Sequence, residues 1–295
     1  MTDTILVSHS QASVLERCEQ KWVYSYVENL TKRTKSPNKA AHIGTLVHLG
    51  LDKLYSGSSE EEVRQAILNA ADSAEEGSVA LLLVVRYIRD FIPTADEGWT
   101  IAKTEDHFQI PLRTPFGRPY EFQGFIDLAA YQNDFLILWD HKSSGRNKYN
   151  KSQLATEWQL LLYGAAMREL GLEIDGIGVN GFNTQVTMST FWTHPITKFY
   201  YRERISVTPQ TFDNSLKSLG QTVDVMYDLA EGREPRMVLS KSCEWCDFQE
   251  LCIYKLKGLT REVSDLKRIA FKQKETKHEL KFQEGDGEST QVDYS

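Results

Sequence analysis

Two short segments carry residues that could hold a divalent cation and cut a phosphodiester bond. Gly124-Phe125-Ile126-Asp127 ends in a carboxylate, and Leu138-Trp139-Asp140-His141-Lys142 supplies a second carboxylate with a lysine two positions later. The run Phe135-Leu136-Ile137-Leu138-Trp139 has the apolar continuity of a buried strand, so Asp140 is delivered to that strand's end. If Asp127 ends the neighbouring strand, the two carboxylates converge. Converging carboxylates repel unless a cation neutralises them, and hard oxygen ligands suit Mg²⁺ or Mn²⁺. Positions i and i+2 of a strand share a face, so Lys142 points where Asp140 points. A lysine there can hold a water or a phosphate oxygen and stabilise the charge that develops during attack. Taken singly, Asp127 and an Asp-x-Lys step are common in ordinary surface turns; the strand that precedes them makes the difference.

The elements that must position these residues follow from periodicity and turn signals. Helical spacing marks Gln11–Glu28, Ile43–Tyr55, Glu60–Ala74 and Val79–Phe91, with Pro93 closing the last. Three strands follow, over Thr100–Leu112, Tyr120–Tyr131 and Phe135–Lys142, separated by Thr114-Pro115-Phe116-Gly117 and Gln132-Asn133-Asp134. Ser152–Leu170 reads as a helix closed by Gly171, then strands are expected over Ile174–Phe182, Val186–Thr193 and Lys198–Val207. Thr208-Pro209 opens a helix reaching about Glu231, and Thr260–Phe282 reads as a charged helix. This order fits an α/β fold, a mixed sheet flanked by helices. The expected organisation is one domain over 1–258, with helices over about 10–92, a sheet core over about 99–207 and a cysteine region over about 208–258. The remainder, 259–295, is the charged helix and a polar, acidic segment expected to be disordered.

Other chemistry-bearing residues flank this core. His48 lies on a predicted helix, where a lone histidine is more often structural than a ligand. Gln159 and Tyr163 are four apart on the helix after the Asp-x-Lys strand and so face one side of it. Glu105, on the first strand, reads as a solvated strand residue ahead of a site partner. Lys32, Arg33, Lys35 and Lys39 form one basic loop, and Arg146, Lys148 and Lys151 form another; together they could make a local anion-attracting groove. Cys18 stands 225 positions before the trio Cys243, Cys246 and Cys252, spaced C-x2-C-x5-C. If all four bind one centre, zinc or a [4Fe–4S] cluster, distant parts of the chain meet there. Ligand chemistry alone leaves zinc and iron–sulfur open.

In combination these motifs resemble the RecB-like branch of the PD-(D/E)XK nucleases, including the nuclease modules of recombination complexes and the CRISPR-associated exonucleases. The likeness rests on Gly44-Thr45-Leu46-Val47-His48 with Leu51-Asp52, then Gly124 to Asp127, Asp140 to Lys142, and Gln159 to Tyr163. Ser8-His9-Ser10 with Cys18 and Lys21, and the cysteine trio, extend it over roughly residues 8–254. Asp52 departs from the family's usual glutamate. The resemblance implies metal ligation by His48, Asp127 and Asp140 with the main-chain carbonyl of His141. It gives Lys142, Gln159 and Tyr163 roles in catalysis, DNA contact or support of the site. It also tips the four cysteines towards [4Fe–4S]. A histidine among oxygen ligands shifts preference from Mg²⁺ towards Mn²⁺.

Composition bounds the function. The chain has 295 residues, 41% of them apolar, and a net charge of −7, so no general coat of basic charge grips nucleic acid and a local patch would have to do so. No apolar run is long enough to span a bilayer, and Met1–Ser10 lacks the pattern of a secretory leader, so a cytoplasmic protein is expected. No G-x-x-x-x-G-K-[ST] is present, so no ATP motor of its own is expected. The reading is a metal-dependent exonuclease acting on single- or double-stranded DNA ends in phage or bacterial recombination, repair or CRISPR-related processing. A helicase or recombination protein is the expected partner. The alternatives are a non-catalytic, cluster-stabilised DNA-binding subunit and a structure-specific endonuclease.

Overall fold

The computed structural model describes residues 4–34, 38–144, 149–185 and 191–274. The strands are β1 (Ile5–Ser8), β2 (Leu30–Lys32), β3 (Trp99–Arg113), β4 (Pro119–Gln132), β5 (Phe135–Ser144), β6 (Gly176–Asn183), β7 (Tyr200–Ser206) and β8 (Phe271–Gln273). The helices are α1 (His9–Arg17), α2 (Glu19–Trp22), α3 (Lys39–Tyr55), α4 (Glu60–Ala70), α5 (Ala74–Arg86), α6 (Ile92–Ala95), α7 (Lys151–Leu154), α8 (Trp158–Glu169), α9 (Pro209–Ala230), α10 (Gln249–Leu256) and α11 (Thr260–Ala270). The main sheet is mixed, ordered β1-β4-β5-β6-β7 with β3 also on β4, and helices flank it. The chain divides into two compact units, one of residues 1–34, 111–123 and 219–295, the other of 35–110 and 124–218.

In the second unit, β4 and β5 form an antiparallel hairpin in which Gln132 faces Phe135. Its two-residue turn needs a left-handed backbone, and Asn133 adopts it at φ 56°. Leu128 lies opposite Trp139, which puts Asp127 and Asp140 next in line on adjacent strands. β5 and β6 are parallel, joined through α7 and α8, and β7 returns antiparallel to β6. Helices α3, α4 and α5 share a core built on Leu46, Val47, Leu51, Ile67, Leu83 and Val84. Gly50 permits this approach, because a Cβ there would stand 2.8 Å from Ile67 Cδ1. In the first unit, β1 pairs in parallel with residues 120–123 of β4, and β2 pairs antiparallel with β8 over a core of Tyr24, Leu30, Phe248, Leu251 and Phe271.

Several boundaries differ from the sequence expectation for physical reasons. The helix expected over Gln11–Glu28 is interrupted at Cys18, whose extended backbone (φ −168°, ψ 112°) separates α1 from α2. The helix expected to stop at Pro93 passes through a π-turn at Tyr87–Phe91 into α6, where Pro93 sits in the first turn and its missing N–H leaves no bond unmade. Residues 155–157 divide the helix expected over Ser152–Leu170 into α7 and α8. The helix expected to reach Phe282 ends at Ala270, because Phe271 is buried and joins β8. Phe191 is helical rather than extended, while 186–190 of that expected strand, and the acidic segment 283–295, lie outside the described residues. Among the described residues, no helix is long and apolar enough to cross a membrane.

Candidate active site and cysteine centre

The candidate active site lies in the second unit, where α3 presents His48 to Asp127, which sits inside β4 rather than at the strand end expected from the sequence, because the strand continues to the turn at Asn133. His48 Nδ1 is 3.5 Å from Asp127 Oδ2, and that oxygen also accepts a 2.6 Å hydrogen bond from the main-chain N–H of His141. His48, Asp127 and Glu105 each bring a ligand atom within 4.8 Å of the others. Glu105 sits in the middle of β3 with a left-handed backbone, φ 43°, a conformation that costs a non-glycine residue on the order of 1–3 kcal/mol and collects at functional sites. Burial, with Asp127 and Asp52 beside it, raises its pKa to about 7. Burial also raises the Asp127 carboxyl, against the opposing pull of His48, the His141 N–H and Lys142.

Asp140 is buried and lies beside, rather than within, that triad. Its pKa rises to about 6, chiefly through burial, with Asp127 adding and Lys142 opposing. Lys142 Nζ stands 2.8 Å from Asp140 Oδ2, but that oxygen has no well-directed hydrogen bond. Lys142 Nζ donates to Gln159 Oε1 at 3.1 Å, so the break before α8 serves to bring Gln159 to the lysine. Tyr163, one turn on, packs edge-to-face on Phe108, and burial raises its pKa to about 12. The glycine of the Gly124–Asp127 segment is required by this packing, since a Cβ at Gly124 would stand 2.8 Å from both Phe108 Cζ and Tyr163 Cε1.

The structure thus gathers His48, Asp127, Asp140, Lys142 and Gln159, with Tyr163 hydrogen-bonded to Gln159 and its ring packed on Phe108. The side chain of His141 is buried with Asn180 rather than facing the triad's carboxylates. Glu105, the weakest of the sequence candidates, joins the triad; its left-handed backbone leaves no trace in strand periodicity. Asn180 had a signal, a polar side chain inside the apolar stretch of β6 that ends at Asn183. Of the basic loops, Lys35, Arg146 and Lys148 lie outside the described residues, whereas Lys151 is exposed on α7. A second cluster, His42, Asp72 and Glu76, also has ligand atoms within 4.8 Å, but Glu76 there accepts from Ser73 Oγ and from His42, as expected at the start of α5.

The four cysteines lie in the first unit and line one cavity of about 600 Å³, together with Arg17, Lys21 and Trp245. All four are free thiols and half-buried. Burial raises the Cys252 pKa to about 11, and Cys246, Cys18 and Cys243 each push it further, so the other three surround it. Among the described residues, no three of the sulfurs lie within 4.8 Å of one another. A tetrahedral zinc with bonds of about 2.3 Å would need sulfurs roughly 3.8 Å apart.

The sequence profile of the PD-(D/E)XK nuclease superfamily matches residues 6–253. No match is found among curated proteins. Among solved structures, the chain is similar to a candidate exonuclease from Eubacterium rectale at 15% identity and a TM-score of 0.48, covering 84% of this chain and 88% of that one. It is also similar to the protein named SSO0001, at 13% identity and a TM-score of 0.33, covering 75% and 89% respectively.

Proposed function

Since the chain belongs to the PD-(D/E)XK nuclease superfamily, we propose that it is a Mg²⁺- or Mn²⁺-dependent DNA exonuclease of the RecB-like type, carrying a [4Fe–4S] cluster. The observation that carries this reading is the triad His48, Glu105 and Asp127 beside the Asp140–Lys142 pair. The donor set fits a hard divalent cation: two carboxylates are held together in a half-buried setting, and a third, buried, has an oxygen lacking a directed partner. His48, Glu105, Asp127 and Asp140 would hold the ion, with the main-chain carbonyl of His141. A divalent cation supplies Lewis-acid polarisation of the phosphate and a more acidic water.

The protein's own groups do the rest. The His141 N–H fixes the Asp127 carboxylate, which leaves its other oxygen for ligation. Lys142, kept cationic by Asp140 and aimed by Gln159, stabilises charge on the phosphate oxygens as the attack proceeds. Lys39 and Lys151, exposed as the first residues of α3 and α7, would draw the DNA backbone in. A four-iron cluster held by the four cysteines of that cavity would have a structural role, tying the N-terminal segment to the cysteine trio. Recombination, repair or CRISPR-related end processing in the cytoplasm, beside a helicase or recombination protein, is the biological setting of this reading.

The test is metal titration. Asp127→Asn should abolish both Mn²⁺ binding and cleavage, and His48→Ala should lose activity that excess Mn²⁺ partly restores. Activity of either variant with unaltered Mn²⁺ dependence would remove that residue from the ligand set.

A further inference from the structure

Behind the candidate metal site runs a buried polar row that the hydrolytic chemistry does not use. The ladder registers place His141 of β5 opposite Asn180 of β6, and Asn180 opposite Arg202 of β7, so the three side chains stand on one face of the sheet. His141 and Asn180 are 2% and 1% exposed, so every polar atom there must find its partner inside the protein. Arg202 is caged by aromatic rings, 4.2 Å from Trp99, 5.2 Å from Phe91 and 5.5 Å from Trp139, and is paired with Asp96. Buried charge of this kind adds little net stability over an apolar replacement, so a role in orientation is the better account of it.

The orientation can be followed atom by atom. Arg202 can only donate, and its Nε meets Asn180 Oδ1 at 3.3 Å. The amide's Nδ2 therefore faces the other way, donating to Tyr87 Oη at 2.8 Å and meeting His141 Nδ1 at 3.2 Å. His141 Nδ1 must then accept, which leaves the ring's single proton on Nε2. Tyr55, seven residues after His48 on α3, stacks on that ring with centroids 6.0 Å apart, and its hydroxyl receives a hydrogen bond from Arg202. The ring so fixed stands edge-on to His48, centroids 5.8 Å apart, and the same residue's main-chain N–H holds Asp127.

We propose that Asn180 and Arg202 are positioning residues of the metal site: they select the Nε2–H tautomer and fixed orientation of His141, which in turn holds His48 and Asp127 in place for the cation. The proposal rests on the metal-dependent reading above. Groups that orient ligands from behind change metal affinity by about 10- to 100-fold when lost.

The experiment uses the full-length protein and two variants. Nitrogen-15 NMR of the imidazoles, on metal-free protein, reads the tautomer of His141 directly. The wild type should show Nε2–H. Asn180→Asp keeps an acceptor for Arg202 but presents an oxygen to His141, so it should reverse the tautomer to Nδ1–H. Isothermal titration with Mn²⁺ should then give a dissociation constant at least 10-fold weaker for Asn180→Asp and Asn180→Leu, while cleavage at saturating Mn²⁺ stays within about twofold. An Nδ1–H tautomer in the wild type overturns the proposal without recourse to any variant, as does unchanged Mn²⁺ affinity in a folded Asn180→Asp. Failure of the underlying reading looks different: the wild type itself would then bind no Mn²⁺ that Asp127→Asn abolishes.

Discussion

Glu105→Gln probes whether the candidate site is a set of opposed charges held ready for a cation. Without metal, a Glu105 oxygen lies within 4.8 Å of one on Asp127. At an effective dielectric of about 20, two unit charges at such a distance repel by about 3 kcal/mol. Burial and the neighbouring Asp127 and Asp52 raise the Glu105 pKa to about 7. An acid whose folded pKa is raised holds its proton more tightly in the folded protein. Its cost to stability is therefore absent below its ordinary value of 4.5, grows as pH rises, and is complete above about 7. Glu105 is only half-buried, and solvent screening brings the figure to about 1–2 kcal/mol. Glutamine keeps the shape and removes the charge, so in EDTA at pH 8 the variant should melt about 2–6 °C above wild type. At pH 5 the gap should shrink to about a quarter of its pH 8 size. With saturating Mn²⁺ at pH 8 the order should reverse, because binding stabilises the better ligand set. Thermal melts at the two pH values, with EDTA and with Mn²⁺, supply all the comparisons. A variant melting at or below wild type in EDTA at pH 8 would refute the charge-cluster account.

Lys142→Ala should lower the turnover number by about 100-fold or more while leaving the Mn²⁺ dissociation constant near wild type, since the lysine stabilises charge rather than holding the ion; single-turnover cleavage and Mn²⁺ titration separate the two. Gly124→Ala should destabilise the fold by about 1–3 kcal/mol, because its methyl would press on Phe108 and Tyr163; a denaturant melt as stable as wild type would contradict the packing described. Protein purified without oxygen should be brown, absorb broadly near ~400 nm and carry iron, and Cys18→Ser or Cys246→Ser should lose both colour and stability. One zinc and no iron per chain in the wild type would replace the cluster with a zinc site.

Asp127, Asp140 and Lys142 are legible in the sequence because apolar runs and a turn mark their two strands and strand periodicity fixes which way each points, although the acids lie inside β4 and β5 rather than at the ends expected for them. His48 and Gln159 become legible only through their spacing within a set of motifs, since one histidine or glutamine on a helix says little. Glu105 is only partly legible: the sequence offers it as a site partner behind a solvated strand residue, because a left-handed residue inside β3 is a product of packing at the site rather than of local preference. Cys18 shows the same limit: its neighbours prefer a helix, yet its extended backbone breaks α1 from α2 on the wall of the cysteine cavity. Phe271 leaves a helical pattern because its ring is buried against Phe248 and its backbone pairs with Lys32, far back along the chain. The row from His141 to Arg202 depends on ladder register across three strands, which the sequence does not specify.

The most direct test of the central claim is degradation of end-labelled linear DNA, single- and double-stranded, beside a closed circular control, with Mn²⁺ or EDTA. The account predicts Mn²⁺-dependent release of label from linear DNA by the wild type, an intact circle, and no release by Asp140→Asn. Equal release by Asp140→Asn, or by the wild type in EDTA, would contradict it, and rapid cutting of the circle would replace an exonuclease with an endonuclease.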